Sequence, residues 1–120
     1  MAATDATKKA IADYVGTLGV TISLHSADPG TNGASELTGG SPAYARKNTA
    51  WGAAAIVGGN AVITGSTVRF DVPPSASVQW YGVWNGSTFL YGRPLTPGVT
   101  INASGNGQVD VTPQYTYSQT

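Results

Sequence analysis

A chain of 120 residues is long enough for one domain with a real hydrophobic core, yet only 10% of its positions are charged, six basic and six acidic residues cancelling. Globular domains usually carry about 25% charged residues, so Ser, Thr, Asn, Gln and Gly must cover most of this surface. Such a neutral surface gives no counterion-release drive toward nucleic acid and no attraction to anionic lipid. No cysteine is present, which removes disulfides, thiolate nucleophiles and zinc clusters.

The opening segment "MAATDATKKAIADYVGTLGV" has no apolar h-region, because Asp5, Lys8, Lys9 and Asp13 interrupt it, and no signal peptide is expected. No run approaches the ~20 apolar residues of a membrane span. Residues 3–15 read as a short helix: Thr4 or Asp5 can cap it, and Ala6, Ala10, Ile11, Tyr14 and Val15 share a side at helical spacing. Gly16 and Gly19 are expected to stop it. The helix either closes one end of the core, which is favoured, or serves as an arm gripping a neighbouring subunit.

From Val20 onward the pattern is β. "VTISLH" (20–25) alternates, with Val20, Ile22 and Leu24 on one face. A long surface loop over 26–43 follows, then "YARKNTAW" (44–51) and two short pieces, 53–57 and 61–64, flanking a "GGN" turn. "TVRFDV" (67–72) is the cleanest strand, with Val68, Phe70 and Val72 inward and Arg69 and Asp71 outward; Pro73 and Pro74 end it. "VQWYGVW" (78–84) is apolar on both faces. Asn85-Gly86 signals a two-residue hairpin into "TFLYG" (88–92). "GVTIN" (98–102) and "QVDVT" (108–112) read as a second hairpin, and the tail 113–120 either adds an edge strand or reaches a partner. Short strands between Gly, Pro and Asn turns predict a mainly β protein: an antiparallel β-sandwich or barrel-like single domain over 1–120, with a short N-terminal helix.

The stretch "SLHSADPGTNGASELTGGSPAYARKNTAWG" (23–52) holds the single histidine and is the natural place to look for chemistry. His25 lies near Ser23, Ser26 and Asp28, but a triad needs a serine held by a base and an orienting carboxylate, and side chains that alternate along a strand end are not expected to converge. The favoured reading is a strand-end histidine hydrogen-bonded to the loop, with Asp28 initiating a turn. Asp28, Asn32 and Glu36 lack the dense pattern of a calcium loop, no zinc ligand set is spaced correctly, and the glycines carry no phosphate-loop Lys. No catalytic residue, metal or cofactor is expected. Trp51, Trp80, Tyr81, Trp84, Phe89 and Tyr91 most simply build a core, although strand parity separates Tyr81 from Trp80 and Trp84. Tyr81 and Tyr91 are therefore the candidate exposed aromatics of a minor sugar-binding reading.

Taken in order, "SLHSADPG", the "TGG" and "YAR" pieces, Trp51, "FDVP" and "VQWYGVWNGSTFLYGRPL" resemble small structural proteins of tailed bacteriophages, common in actinobacterial phages and described as tail-fibre-like, minor tail or capsid-surface proteins. The likeness spans about residues 20–95. It implies a non-enzymatic structural protein of the virion, assembled in the host cytoplasm, and brings no catalytic residues.

Compact size and the lack of a repetitive shaft lead to the expectation of a capsid decoration protein that binds the outside of the assembled head. The alternative is a minor tail or tail-fibre-like protein at the tail tip that binds a receptor or carbohydrate. Its partners would be the major capsid protein or other virion proteins, with neither nucleic acid nor membrane involved. A homo-oligomer is expected, and a trimer would suit the threefold positions that decoration proteins often occupy. Candidate lattice or subunit contacts are Lys8, Ile11 and Tyr14 on the helix, Asp28, Glu36, Tyr44 and Arg46 around the loop, and Tyr115 and Tyr117 in the tail.

Overall fold

The computed structural model describes residues 3–118, apart from the side chains of Thr96 and Pro97; the last two positions of the predicted tail lie outside the described residues. It is mainly β, with antiparallel strand pairs and one N-terminal helix, as the sequence predicts. Helix α1 (Asp5–Leu18) begins where Thr4 Oγ1 accepts the Thr7 amide at 3.1 Å, which satisfies one of the unpaired donors of the first turn. It runs through Gly16 to Leu18, three residues past the expected end at Val15. A Cβ at Gly16 would stand 3.0 Å from Ile63, so this glycine lets the helix lie close to a sheet and does not stop it.

Three sheets follow. Strands β1 (Thr21–His25), β2 (Lys47–Asn48), β6 (Ser77–Asn85) and β7 (Thr88–Thr100) form the first, in the order β2-β1-β6-β7. Strands β5 (Val68–Val72) and β8 (Gly107–Val111) form a two-stranded sheet, and β3 (Ala55–Val57), β4 (Asn60–Thr64) and β9 (Gln114–Tyr117) form the third. The four- and two-stranded sheets pack into a sandwich, with Ile22, Leu24, Phe70, Val72, Val78, Val83, Val109 and Val111 in one buried cluster. Helix α1 lies on the third sheet over a smaller cluster of Ala12, Ala54, Ala61 and Ile63, and Trp51 packs against both clusters.

Several expectations change in detail. Of "YARKNTAW" only Lys47 and Asn48 pair as a strand, because Tyr44 and Arg46 are drawn to Glu36 instead. The hairpin turn centres on Gly86-Ser87, since Asn85 pairs with Thr88; Gly86 takes φ 56°, the backbone setting that a first turn residue of this kind requires and glycine supplies cheaply. The second predicted hairpin does not form. Residues 98–100 continue β7 beside β6, and 107–111 pair with β5, which places Val109 opposite Phe70 in the core. The tail adds an edge strand to the third sheet through β4, one of the two expected fates. Along β6, a register shift between Val78 and Trp80 turns Tyr81 inward with Val78 and Val83, correcting its predicted exposure.

Phe70 is fully buried between the two sheets of the sandwich, whereas its strand neighbour Arg69 points to solvent. Phe70→Ala is expected to cost about 3–5 kcal/mol, as lost transfer energy and an unfilled cavity. Urea unfolding checks this, with Arg69→Ala expected to be nearly silent.

Candidate functional site

Strand β1 is buried on both faces. Ile22 and Leu24 enter the sandwich core, while Ser23 and His25, two residues apart and so on the same face, lie beneath the 26–46 loop. The His25 ring is fully buried. Its Nδ1–H donates to the Ala34 carbonyl at 2.7 Å, which leaves Nε2 to accept from Ser23 Oγ at 2.7 Å; Trp84 Nε1 in turn donates to Ser23 Oγ at 2.8 Å. A Cβ at Gly82 would come within 2.7 Å of Ser23 Oγ and 2.9 Å of His25 Nε2, so the glycine makes room for the pair. Phe89 closes the pocket with an edge contact to His25 and another to Trp84.

The loop folds back along β1 through Leu37 N–H to the Leu24 carbonyl and Ser26 N–H to the Ser35 carbonyl, each at 3.0 Å. Asp28 is exposed but turned on itself, its Oδ1 accepting the Gly30 amide at 2.8 Å; this is the turn-initiating role read from the sequence. At the loop's return, Arg46 donates twice to Glu36, from Nε at 2.9 Å and from Nη2 at 2.8 Å. Its guanidinium also lies 3.6 Å from the centroid of the Trp84 ring. Tyr44 donates its hydroxyl to Glu36 at 2.9 Å and accepts the Leu24 amide at 2.8 Å. Asn106 staples the far end of the loop, accepting from Ser41 N–H and donating to the Pro42 carbonyl.

Electrostatics follow this packing. Burial lowers the His25 pKa below its usual 6.5; the Ala34 carbonyl and Glu36 pull the other way, and Arg46 adds to the lowering. Burial opposes ionisation of Glu36, but hydrogen bonds from Arg46 and Tyr44 outweigh it and hold the carboxyl below its ordinary range. The Ser–His pair is therefore close enough for base-assisted nucleophilic chemistry, contrary to the expectation that these side chains would not converge. It nonetheless has no carboxylate on Nδ1 and no surface exposure, so substrate cannot reach it. Among the described residues no group of three or more His, Asp or Glu side chains could hold a metal ion, and no helix is long and apolar enough to cross a membrane.

The candidate contact residues separate sharply. Tyr44 and Arg46 both hydrogen-bond Glu36 within the chain, with Arg46 still exposed to solvent. Lys8 is spent inside the chain too, its Nζ donating to the Gly59 carbonyl at 2.8 Å. Tyr115 and Tyr117 are half-buried against the cluster under the helix, and Tyr115 meets the Tyr91 ring edge-on. Tyr81 is 5% exposed, its hydroxyl donating to the Gln114 carbonyl at 2.7 Å and accepting the Gln114 amide at 2.9 Å. Tyr91 is half-buried, with a hydroxyl sealed from solvent and unpartnered; burial pushes its phenol well above the usual value. Neither is an exposed aromatic, so both expectations are corrected. Ile11, at 36% exposure, and Tyr14, at 64%, remain open on the outer side of α1. Sequence reasoning weighed Ser23 beside His25 but did not expect the two to meet, although their two-residue spacing puts them on one strand face, and it missed Asp13, which anchors α1 by accepting the Ala54 amide at 2.7 Å.

The described residues thus show an internal polar latch between β1 and its loop, and a helix with Ile11 and Tyr14 exposed to solvent. Residues 3–112 match the family described as podophage GP4 fiber I protein gp80. The chain belongs to that family, and so to the structural proteins of tailed phages. No curated protein and no solved structure matches it significantly.

Two predictions concern the latch. A buried neutral base with a lowered pKa leaves the unfolded chain binding more protons, so stability is complete above about pH 6.5 and declines as pH falls below it toward the folded-state value. Melting temperature against pH should fall across that window, and His25→Gln should flatten the slope. Tyr44→Phe leaves the Leu24 amide without its acceptor and is expected to cost about 1–2 kcal/mol, read by chemical unfolding together with faster amide exchange at Leu24 and Leu37.

Proposed function

We propose that this chain is a non-enzymatic structural module of a tailed-phage fibre, carried in the virion at the tail and held there by contacts with other virion proteins. The match of residues 3–112 to a fibre family carries this reading. It ranks the tail-fibre-like alternative above capsid decoration, toward which compactness and low charge lean. The actinobacterial setting rests on the order of sequence motifs alone.

The physical design suits a passive part. The single histidine is committed to holding a loop, the exposed ion pair Arg69–Asp110 lies within the chain, and the neutral balance leaves no charged field to steer nucleic acid or lipid. A partner that binds only the folded module stabilises it and is itself held by mass action. Carbohydrate binding at a tail tip finds less support, because Trp84 at 7% exposure and Tyr81 at 5% are interior rings, and Trp51 spends its indole N–H on the Gly19 carbonyl.

Immunogold labelling of intact particles, with copy number from quantitative mass spectrometry, tests the assignment. Label confined to the tail at a few copies is the expected outcome. Label spread over the head at hundreds of copies would replace the fibre reading with capsid decoration.

A further inference from the structure

In an Asn-Gly pair the backbone amide after the asparagine can attack the asparagine side chain with little hindrance, because glycine has no Cβ to stand in the way. Three of the six asparagines here are followed by glycine, Asn32, Asn85 and Asn106, and the fold treats them differently. The Gly33 N–H that would attack Asn32 donates to the Pro29 carbonyl at 3.1 Å, and Gly33 is pressed against Trp84, where an added Cβ would stand 2.7 Å from the ring. The Asn106 amide is held across the 26–46 loop, Oδ1 accepting from Ser41 N–H at 3.3 Å and Nδ2 donating to the Pro42 carbonyl at 2.8 Å. Gly107 is also fixed, opposite Val72 in the β5–β8 pair. Asn85 has none of these restraints. It ends β6 at the hairpin, where Asn85, Gly86 and Ser87 are exposed, and among the described residues nothing holds its side-chain amide or the Gly86 N–H. Gly86, at φ 56°, has open space where a Cβ would be.

We propose that Asn85 is a self-modification site, at which the Gly86 amide nitrogen closes on the Asn85 side chain and turns it into an acid. The nitrogen gives up its proton to solvent base and bonds to Cγ of Asn85. The Cγ–Nδ2 bond then breaks, and ammonia leaves with a proton from water. The five-membered imide that results is opened by one water molecule. Attack at Cγ breaks its new bond to nitrogen and gives aspartate. Attack at the main-chain carbonyl breaks the original peptide bond and gives isoaspartate, with the chain now running through Cγ. Water is consumed, ammonia is released, and nothing is oxidised or reduced.

The two products differ in what they do to the fold. Aspartate leaves the main chain as it was and adds a negative charge at an exposed tip, in a chain whose formal charges otherwise cancel. Isoaspartate puts an extra methylene into the main chain, so that residue 85 can no longer stand opposite Thr88 across a two-residue turn. The next pair in register is Trp84 with Phe89, the two rings that meet edge-on over His25. Trp84 also donates to Ser23, so a slipped hairpin loosens the latch from its far side. This chemistry belongs to the hairpin alone, so its test is separate from the labelling of tail or head.

Incubating the full chain in warm, mildly alkaline buffer and mapping its peptides by tandem mass spectrometry measures amide loss at each asparagine. Freeing one hydrogen bond before attack slows a site by roughly tenfold, so Asn85 is expected to convert at least about tenfold faster than Asn32 or Asn106. In strong denaturant all three are released and their rates should draw together. Asn85→Gln, which would have to close a larger ring, should remove the fast conversion without moving circular dichroism or the unfolding midpoint. Amide exchange at Trp84 and Phe89 should be faster in the purified isoaspartate form than in Asn85→Asp, which keeps the ordinary main chain. Asn32 or Asn106 keeping pace with Asn85 in the folded chain would overturn the proposal. So would an Asn85 that keeps its amide when folded over a period in which the denatured chain loses it.

Discussion

Strand β1 has no solvent side: Ile22 and Leu24 face the sandwich and Ser23 and His25 face the loop, all four sealed from water. The aliphatic face needs only the opposing β5–β8 sheet. The polar face is more demanding, because a buried hydroxyl and imidazole without partners would each cost more than their packing returns. Ser23, His25, Trp84 and the Ala34 carbonyl satisfy that requirement as a chain of donors and acceptors, which obliges the loop to pass directly over the strand. Glu36, Arg46 and Tyr44 then fix where the loop returns, with Arg46 laid over the same Trp84 ring that bonds Ser23. One strand's double burial thus orders more than twenty residues of irregular chain.

This accounts for how a segment with the residue types of an active site can be structural. The groups are present and two of them are in contact, but their hydrogen-bonding capacity is directed inward and consumed. The distinction lies in burial and in what holds Nδ1, a backbone carbonyl where a hydrolase would place a carboxylate. Neither property can be read from spacing.

Local signals were legible where local chemistry decides. Alternation in "TVRFDV", the glycine turn after Asn85, the Thr4 cap and the Asp28 turn all depend on near neighbours in sequence. Pairing between β5 and β8 does not, and the turn-rich residues between β7 and β8 imitate a hairpin that the core overrides by bringing Val109 to Phe70. Tyr81 was misplaced because a bulge reverses strand parity, and nothing in "VQWYGVW" announces one. Helix α1 shows the subtlest failure. Its apolar stripe is plain in sequence, and the sequence equally shows Ala12 and Gly16 among charges, but only the fold reveals that small size and close approach, rather than hydrophobicity, select the face that docks.

Strand β9 completes the sheet on which α1 rests, so the first and last elements of the described chain pack together across nearly its whole length. The sandwich draws on residues 22–111 and does not depend on this closure. Helix α1 therefore lacks its full support until residues 114–117 have joined β4, so a contact between segments about a hundred residues apart has to close before the helix is held in place.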